Sequence, residues 1–570
     1  MFDINSKFTL DVPGRPPLKL GPGDYVTTGG EGHIYHKGVG IKIWIDPDRA
    51  ARDRMPDKIP LLAKLKHPWI VVPESIALDT NGRAVGFAMP WVDNSWHMPL
   101  AFTNDWRAAN SFGDAEALAF AGKMREVVTF VHGKGAILGD ANELNILGVG
   151  REPRYIDTDP WVLPGYPGHG ILPTIHDWHA GEFTREADWF AWAVVTFQLL
   201  TGTHPYRGTH PGFKRNDLEG RMRANASVFG RDIRLSAAVR PFSCIPAPLF
   251  DWYHAVFEDG FRGLPPEPLA SPILAAPGRR AAAAPAGGSL SVTELYRLPG
   301  GVLRAVAPDI VMLAGGLLVS LPDGRAFGTA DPAAAFMRLP GGTVAGILAG
   351  QGRLGFGLLR AAPGAAMAMQ DTGLAASMAW PSENRLFALV HDGLLEVKIH
   401  DLGARQTALP GRKWSLNPNA TVFGDGIAVY DALGAKFLVA PFGATAVAVV
   451  RCRELDGLKT VSMVRRGRIA VMSLLDRAGS YKRASLLFTD DYAGCQVTVS
   501  DADDGMLTDV ITDGGVVVRF TAEGKLELAM PATGARREAD PGGLAEGRLL
   551  AGPSGVFCVD AGRICKLSLS

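Results

Sequence analysis

Residues Gly139-Asp140-Ala141-Asn142-Glu143-Leu144-Asn145-Ile146-Leu147 set an acid and an amide five positions apart on one loop, just before an apolar run that reads as a strand. Upstream, Leu118, Ala121, Met124, Val128 and Val131 recur at three- and four-residue steps, so an amphipathic helix delivers the chain to this loop. Downstream, Tyr155-Ile156-Asp157-Thr158-Asp159 is a second acidic pair leaving a short β-type run. A single Asp in a loop is by default a turn or cap residue. The joint order of these elements is what departs from that default.

Two further elements precede the loop. Residues 27–35 (TTGGEGHIY) form a glycine-rich turn between strands, where missing side chains let backbone N–H groups approach phosphate oxygens. Val39-Gly40-Ile41-Lys42-Ile43 then places a lysine in the middle of an apolar strand, and a buried ammonium needs an anionic partner. Phosphoryl transfer asks for a carboxylate to orient the attacking hydroxyl, oxygen ligands for Mg²⁺ and a cation on the phosphates. Asp140, Asn145 with Asp157, and Lys42 supply that inventory.

In this order the motifs of residues 22–265 resemble a eukaryotic-type protein kinase domain. Gly29 and Gly32 match the second and third glycines of G-x-G-x-x-G, with Gly30 between them and Thr27 in the first place. Lys42 falls on the strand lysine, Asp140 on the catalytic-loop aspartate, Asn145 on the metal-binding asparagine and Asp157 on the metal aspartate of D-F-G. His67-Pro68-Trp69-Ile70-Val71 resembles H-P-N-I-V, Asp188 stands where the family's large buried helix begins, and Thr201-Gly202-Thr203-His204-Pro205-Tyr206 resembles the end of that helix. The resemblance implies an α+β bilobal fold, N-lobe 1–92 and C-lobe 93–269, that binds ATP and Mg²⁺ and phosphorylates Ser/Thr hydroxyls of a protein substrate. Lys42 with Gly29, Gly30 and Gly32 would position the phosphates, Asn145 and Asp157 would hold metal, and Asp140 would accept or orient the hydroxyl proton.

The departures carry expectations of their own. H-R-D is Leu138-Gly139-Asp140, which removes the arginine that contacts a phosphorylated activation loop, and D-F-G is Asp157-Thr158-Asp159. The helix-C glutamate, nine residues before His67, is Lys58, so Asp57 or Asp53 substitutes for it or Lys42 is held in another way. Leu172-Pro173-Thr174 is the nearest counterpart of A-P-E. G-D-x-N-x-x-N followed by I-D-x-D is similar to divergent bacterial kinase-like proteins associated with a PPM-type phosphatase and a von Willebrand A partner. A nucleotide-binding pseudokinase scaffold and a small-molecule phosphotransferase are the alternative readings. His132 and His204 read as satisfied structural histidines, Trp178, Trp189 and Trp192 as lobe-interface or buried-helix residues, and Glu182, Arg185 and Glu186 as a solvated helix start.

Farther along, the grammar changes. Residues 270–291 are almost entirely Ala, Pro, Gly and Ser, the make-up of an exposed linker, and ten of the twelve tryptophans precede it. Beyond it, turns alternate with short apolar runs: 316–320, 353–357, 385–390, 426–430, 468–472, 515–519 and 555–559. Spacings near 40 residues fit four-stranded blades, so 292–570 is expected to form an all-β unit, a seven-bladed β-propeller, with a β-sandwich pair or barrel as the alternative. Its strands carry no cluster of acids or histidines, which reads as a binding or scaffolding surface.

The whole chain is 570 residues with 58 basic and 58 acidic side chains, so no basic field advertises nucleic acid or an anionic membrane. Five cysteines form no C-x-x-C pair, which argues against a disulfide framework or zinc cluster. The start MFDINSKFTLDVPG has no charged-then-apolar pattern and no apolar stretch is long enough to span a bilayer, so the expected location is the cytoplasm.

Overall fold

The computed structural model describes residues 4–267 and 290–569, apart from 169, 181–182, 215–216, 237, 299–300, 308, 340–341, 361–363, 402–405, 503–504, 522–523, 542–543, 545–546, 554 and 561. Residues 270–289 of the expected linker, and Glu182, lie outside the described residues. The first region opens with a five-stranded antiparallel sheet in the spatial order Tyr25–Thr28, Gly32–His36, Gly40–Trp44, Ala84–Met89 and Ser75–Leu78. The central strand Gly40–Trp44 is buried at every position because both faces are covered. Strand alternation sends Ile41 and Ile43 into a cluster with Leu10, Tyr25, Tyr35 and Ala88, while Trp44 meets Met55 and Ile59 of the helix Met55–Leu62. Lys42 has the parity of Trp44.

The chain then becomes mainly helical. Asp114–Gly133 and Arg185–Thr201 join one core holding Phe120, Met124, Val128, Trp189, Trp192 and Phe197, which the helix Ala247–Phe257 also enters. Arg185–Thr201 starts where the Thr184 side chain accepts the Ala187 N–H at 3.0 Å and ends at Gly202, whose φ of 83° is the left-handed cap that glycine adopts freely. Between the two long helices, Ile146–Val149 and Glu152–Tyr155 form a hairpin pairing Tyr155 with Ile146. That register brings the residues flanking the hairpin together, and the Ile156 N–H donates to the Asn145 carbonyl at 2.9 Å.

From Leu290 onward, apart from two short 3-10 turns at Pro418–Ala420 and Arg453–Leu455, the described elements are strands: seven four-stranded antiparallel sheets, six of them made of four consecutive strands. In the seventh, the strand Leu290–Arg297 pairs with the last strand, Arg563–Leu569, so the two ends of this region share a sheet. Each of the seven apolar runs read from the sequence supplies an inner strand of a different sheet. Four of the five cysteines are buried, and all five are free. Among the described residues no helix is long and apolar enough to cross a membrane.

Candidate active site

Lys42 is 4% exposed, and its ammonium reaches three carboxylates: Asp157, Asp159 at 2.8 Å and Glu31 at 3.7 Å. The partner demanded by a lysine in an apolar strand is therefore an acid group from more than 100 positions away. Burial alone would lower the lysine's pKa, but Asp157 and Asp159 outweigh it and hold the ammonium charged. Gly32 earns its place here, because a Cβ would come within 2.9 Å of the Lys42 Cγ. By contrast a Cβ on Gly30 would meet nothing within 4 Å, and one on Gly29 only the Gly32 carbonyl oxygen at 3.7 Å. Space beside those two backbones is therefore open.

A second cation completes the cluster. Arg49, 2% exposed, bonds Glu31 at 2.5 Å and Asp159 at 3.0 Å, with Asp53 at 3.4 Å. Lys58 sits on the helix Met55–Leu62 and donates to the Asp159 backbone carbonyl at 2.8 Å. Burial pulls its pKa down to about 8, against the attraction of Asp159. Asp159 is fully buried: burial would raise its pKa, yet Lys42 and Arg49 hold it well below the usual carboxylate range. Asp157 is shifted the other way, upward, by burial against the pull of Lys42, with the charge of Asp159 adding to the rise. Its φ of 57° is left-handed for a residue that is not glycine, a strained conformation of the kind that clusters at working sites.

These contacts decide which acids partner Lys42. Neither Asp57 nor Asp53 takes the job: Asp57 is exposed beside Arg54, and Asp53 faces Arg49. Lys42 is held by Asp157 and Asp159 instead, while Lys58 on the helix donates to the Asp159 backbone.

The loop bearing Asp140 is fixed from beneath. Asp188, 2% exposed, accepts the Leu138 and Gly139 N–H groups at 2.9 and 2.8 Å and contacts His132 Nε2 at 2.7 Å. Gly139 has a φ of 72°, and a Cβ there would stand 2.7 Å from the Phe183 ring, so both backbone and neighbour require glycine. Asp140 Oδ1 accepts the Leu172 N–H at 2.9 Å, and Asn145 Nδ2 donates to the Asp140 carbonyl at 2.9 Å. That bond engages the nitrogen end of the Asn145 amide. Burial raises the Asp140 pKa, with Leu172 and Asn142 opposing and the charge of Glu31 adding to the rise. Asn142 is a buried cap whose side chain accepts the Leu144 N–H at 2.8 Å. His204 is buried as well, its Nε2 on the Thr174 carbonyl at 2.8 Å and its Nδ1 accepting the Tyr206 N–H at 3.2 Å.

Lys42 with Asp157, and Asp140 with Asn145, are thus two contacting pairs joined through the Ile156–Asn145 backbone bond. Glu31 and Arg49 escaped the sequence reading. Glu31 could have been suspected as the one acid inside the glycine-rich turn, whereas nothing local distinguishes Arg49 from a surface arginine. Glu31, Asp157 and Asp159 can bring ligand oxygens within 4.8 Å of one another, a donor set that is all oxygen. Such a set fits a hard cation such as Mg²⁺ and lacks the nitrogen and sulfur that favour zinc. No protein-family model matches the chain, and no curated protein matches it significantly.

Proposed function

We propose that the chain is an ATP- and Mg²⁺-dependent protein kinase that transfers the γ-phosphoryl group to Ser/Thr hydroxyls. The observation that carries this reading is the convergence of Lys42, Asp157, Asn145 and Asp140, far apart in sequence, on one charged neighbourhood beside a glycine-rich turn. Lys42, kept charged by its carboxylates, is the cation for the phosphates, and the unobstructed Gly29 and Gly30 let the backbone approach them. Asp140, made more basic by burial, orients the acceptor hydroxyl and takes its proton. Asn145 and Asp157 would hold the metal, which when bound neutralises charge on the transferring group. Positioning and electrostatics are then most of what the protein contributes.

In this reading the acceptor is taken by an open groove of about 550 Å³ lined by Val162, Ile171, Pro173, Trp178 and Phe183. It adjoins Asp140 through Leu172 and Phe183. In the same reading the C-terminal sheets are the blades of a seven-bladed β-propeller, closed by the pairing of Leu290–Arg297 with Arg563–Leu569, and recruit substrate or a partner. One observation favours the pseudokinase alternative: Leu172 already occupies one oxygen of Asp140. Incubating the full chain with labelled ATP, Mg²⁺ and protein acceptors, beside Asp140→Ala, decides the matter. Transfer to protein that disappears in the variant is expected; label on added metabolites alone, or none at all, would overturn the proposal.

A further inference from the structure

Asp140 is bracketed by two segments, and both lean on the same sheet of the C-terminal region. On one side Leu172 donates its N–H to the Asp140 carboxylate. The Leu172 and Thr174 side chains press on the turn around Gly479, where a Cβ would lie 2.9 Å from Leu172 Cδ2 and 2.9 Å from Thr174 Oγ1. Gly479 has a φ of 75°, so this close approach and the turn itself both depend on glycine. On the other side Leu144, one residue before Asn145, packs against Val461, Leu475 and Tyr481. Its neighbour Glu143 is 1% exposed and lies within the field of Lys459. Arg207 locks the same face, stacking 5.1 Å above the Tyr481 ring and donating to the Ala502 carbonyl at 3.1 Å.

All of these contacts belong to, or directly flank, the sheet that runs from Lys459 to Asp501. The loop segment Leu138-Gly139 offers no cation with which a modified residue on the Leu172 segment could be anchored. Packing against a rigid neighbouring sheet does equivalent work, because close-packed side chains transmit position.

We propose that this sheet is a positioning element for Asp140, holding Leu172 and Leu144 so that the acceptor side of the cleft is set by contact with the C-terminal region rather than by covalent modification. The inference rests on the kinase reading for its catalytic consequence but not for its structural one. In the full chain, Gly479→Val collides with Leu172 and Thr174. Amide hydrogen exchange over residues 170–176 is expected to rise about tenfold, with kcat for transfer falling about tenfold and KM for ATP changing less than twofold. Leu172→Ala removes the same contact from the other side and reports it if Gly479→Val does not fold; combined, the two changes should be far from additive. Unchanged exchange over 170–176 in a folded variant would overturn the proposal. Should the wild-type chain transfer no phosphate, the kinase reading fails, and exchange alone decides whether the sheet positions this segment.

Discussion

Lys42 and Arg465 are both buried cations, one in each region, and they are satisfied in opposite ways. Arg465 in the C-terminal region is fully buried and donates to the carbonyls of Gly426 at 2.7 Å, Gly467 at 2.6 Å and Pro441 at 2.5 Å, with Glu383 at 3.0 Å as its one acid. Lys42 in the first region is bound by the carboxylates of Asp157, Asp159 and Glu31, the last two shared with Arg49. Carbonyl acceptors are immobile parts of the backbone and fix a fold. Competing carboxylates can exchange one cation for another, which is what a site that must admit a charged ligand requires. The C-terminal arginine is thus read as structural and the lysine cluster as functional, although both are equally dry.

The contrast is open to breaking. The largest effect is expected from Asp157→Asn, which keeps the shape but removes a cation-binding charge: transfer to protein should fall by about a thousandfold or more, with an unchanged circular dichroism spectrum. A variant as active as wild type would remove Asp157 from the chemistry. Next is Arg465→Ala, which strands several buried carbonyls and Glu383; denaturant titration should record a loss of about 3 kcal/mol, while nucleotide affinity, measured calorimetrically, stays put.

Asp159→Asn sharpens the picture within the cluster. Removing one of the carboxylates on Lys42 should cost about ten- to a hundredfold in kcat/KM for ATP, and adding Lys58→Glu, which returns an acid to the helix, should recover part of that loss. Failure of any such recovery would mean that Asp159 serves Arg49 more than Lys42. The smallest effect concerns His204, a first-region group satisfied in the C-terminal manner by a backbone carbonyl. Burial, with the charge of Arg207 assisting, lowers its pKa to about 3, so the unfolded chain binds a proton that the folded chain refuses. Its contribution to stability is full above the ordinary histidine pKa and is lost as pH falls toward 3. Between pH 7.5 and 5.5 that amounts to about 1.4 kcal/mol of destabilisation, which His204→Gln should abolish in the difference between the two unfolding curves.

Much of this was legible in one dimension. A lysine in the apolar strand Val39–Ile43 raises the question of a buried charge, and the helix that covers Trp44 on the same face answers it. The helix beginning after Thr184 and ending at Gly202 follows from a cap, an apolar stretch and a glycine, each acting on the turn of helix beside it. The seven apolar runs each landed in a different sheet because turn chemistry and hydrophobic patterning are local. The sequence leaves the partner of Lys42 open between Asp53, Asp57 and some other group, and space settles it in favour of Asp157 and Asp159, which no local sequence signal singles out.

The amino-acid order by itself determined which chemical groups are available and where strands, helices and turns begin, since those depend on side chains a few positions apart. The tertiary structure alone decided that Glu31 and Arg49 join Lys42, that Asp159 rather than a helix acid holds it, and that a turn at Gly479 braces the segment on Asp140. The reason is physical: a charge is satisfied by whatever lies within a few ångströms once the chain has folded, and neighbours at that range are chosen by packing across the molecule, not by distance along the chain.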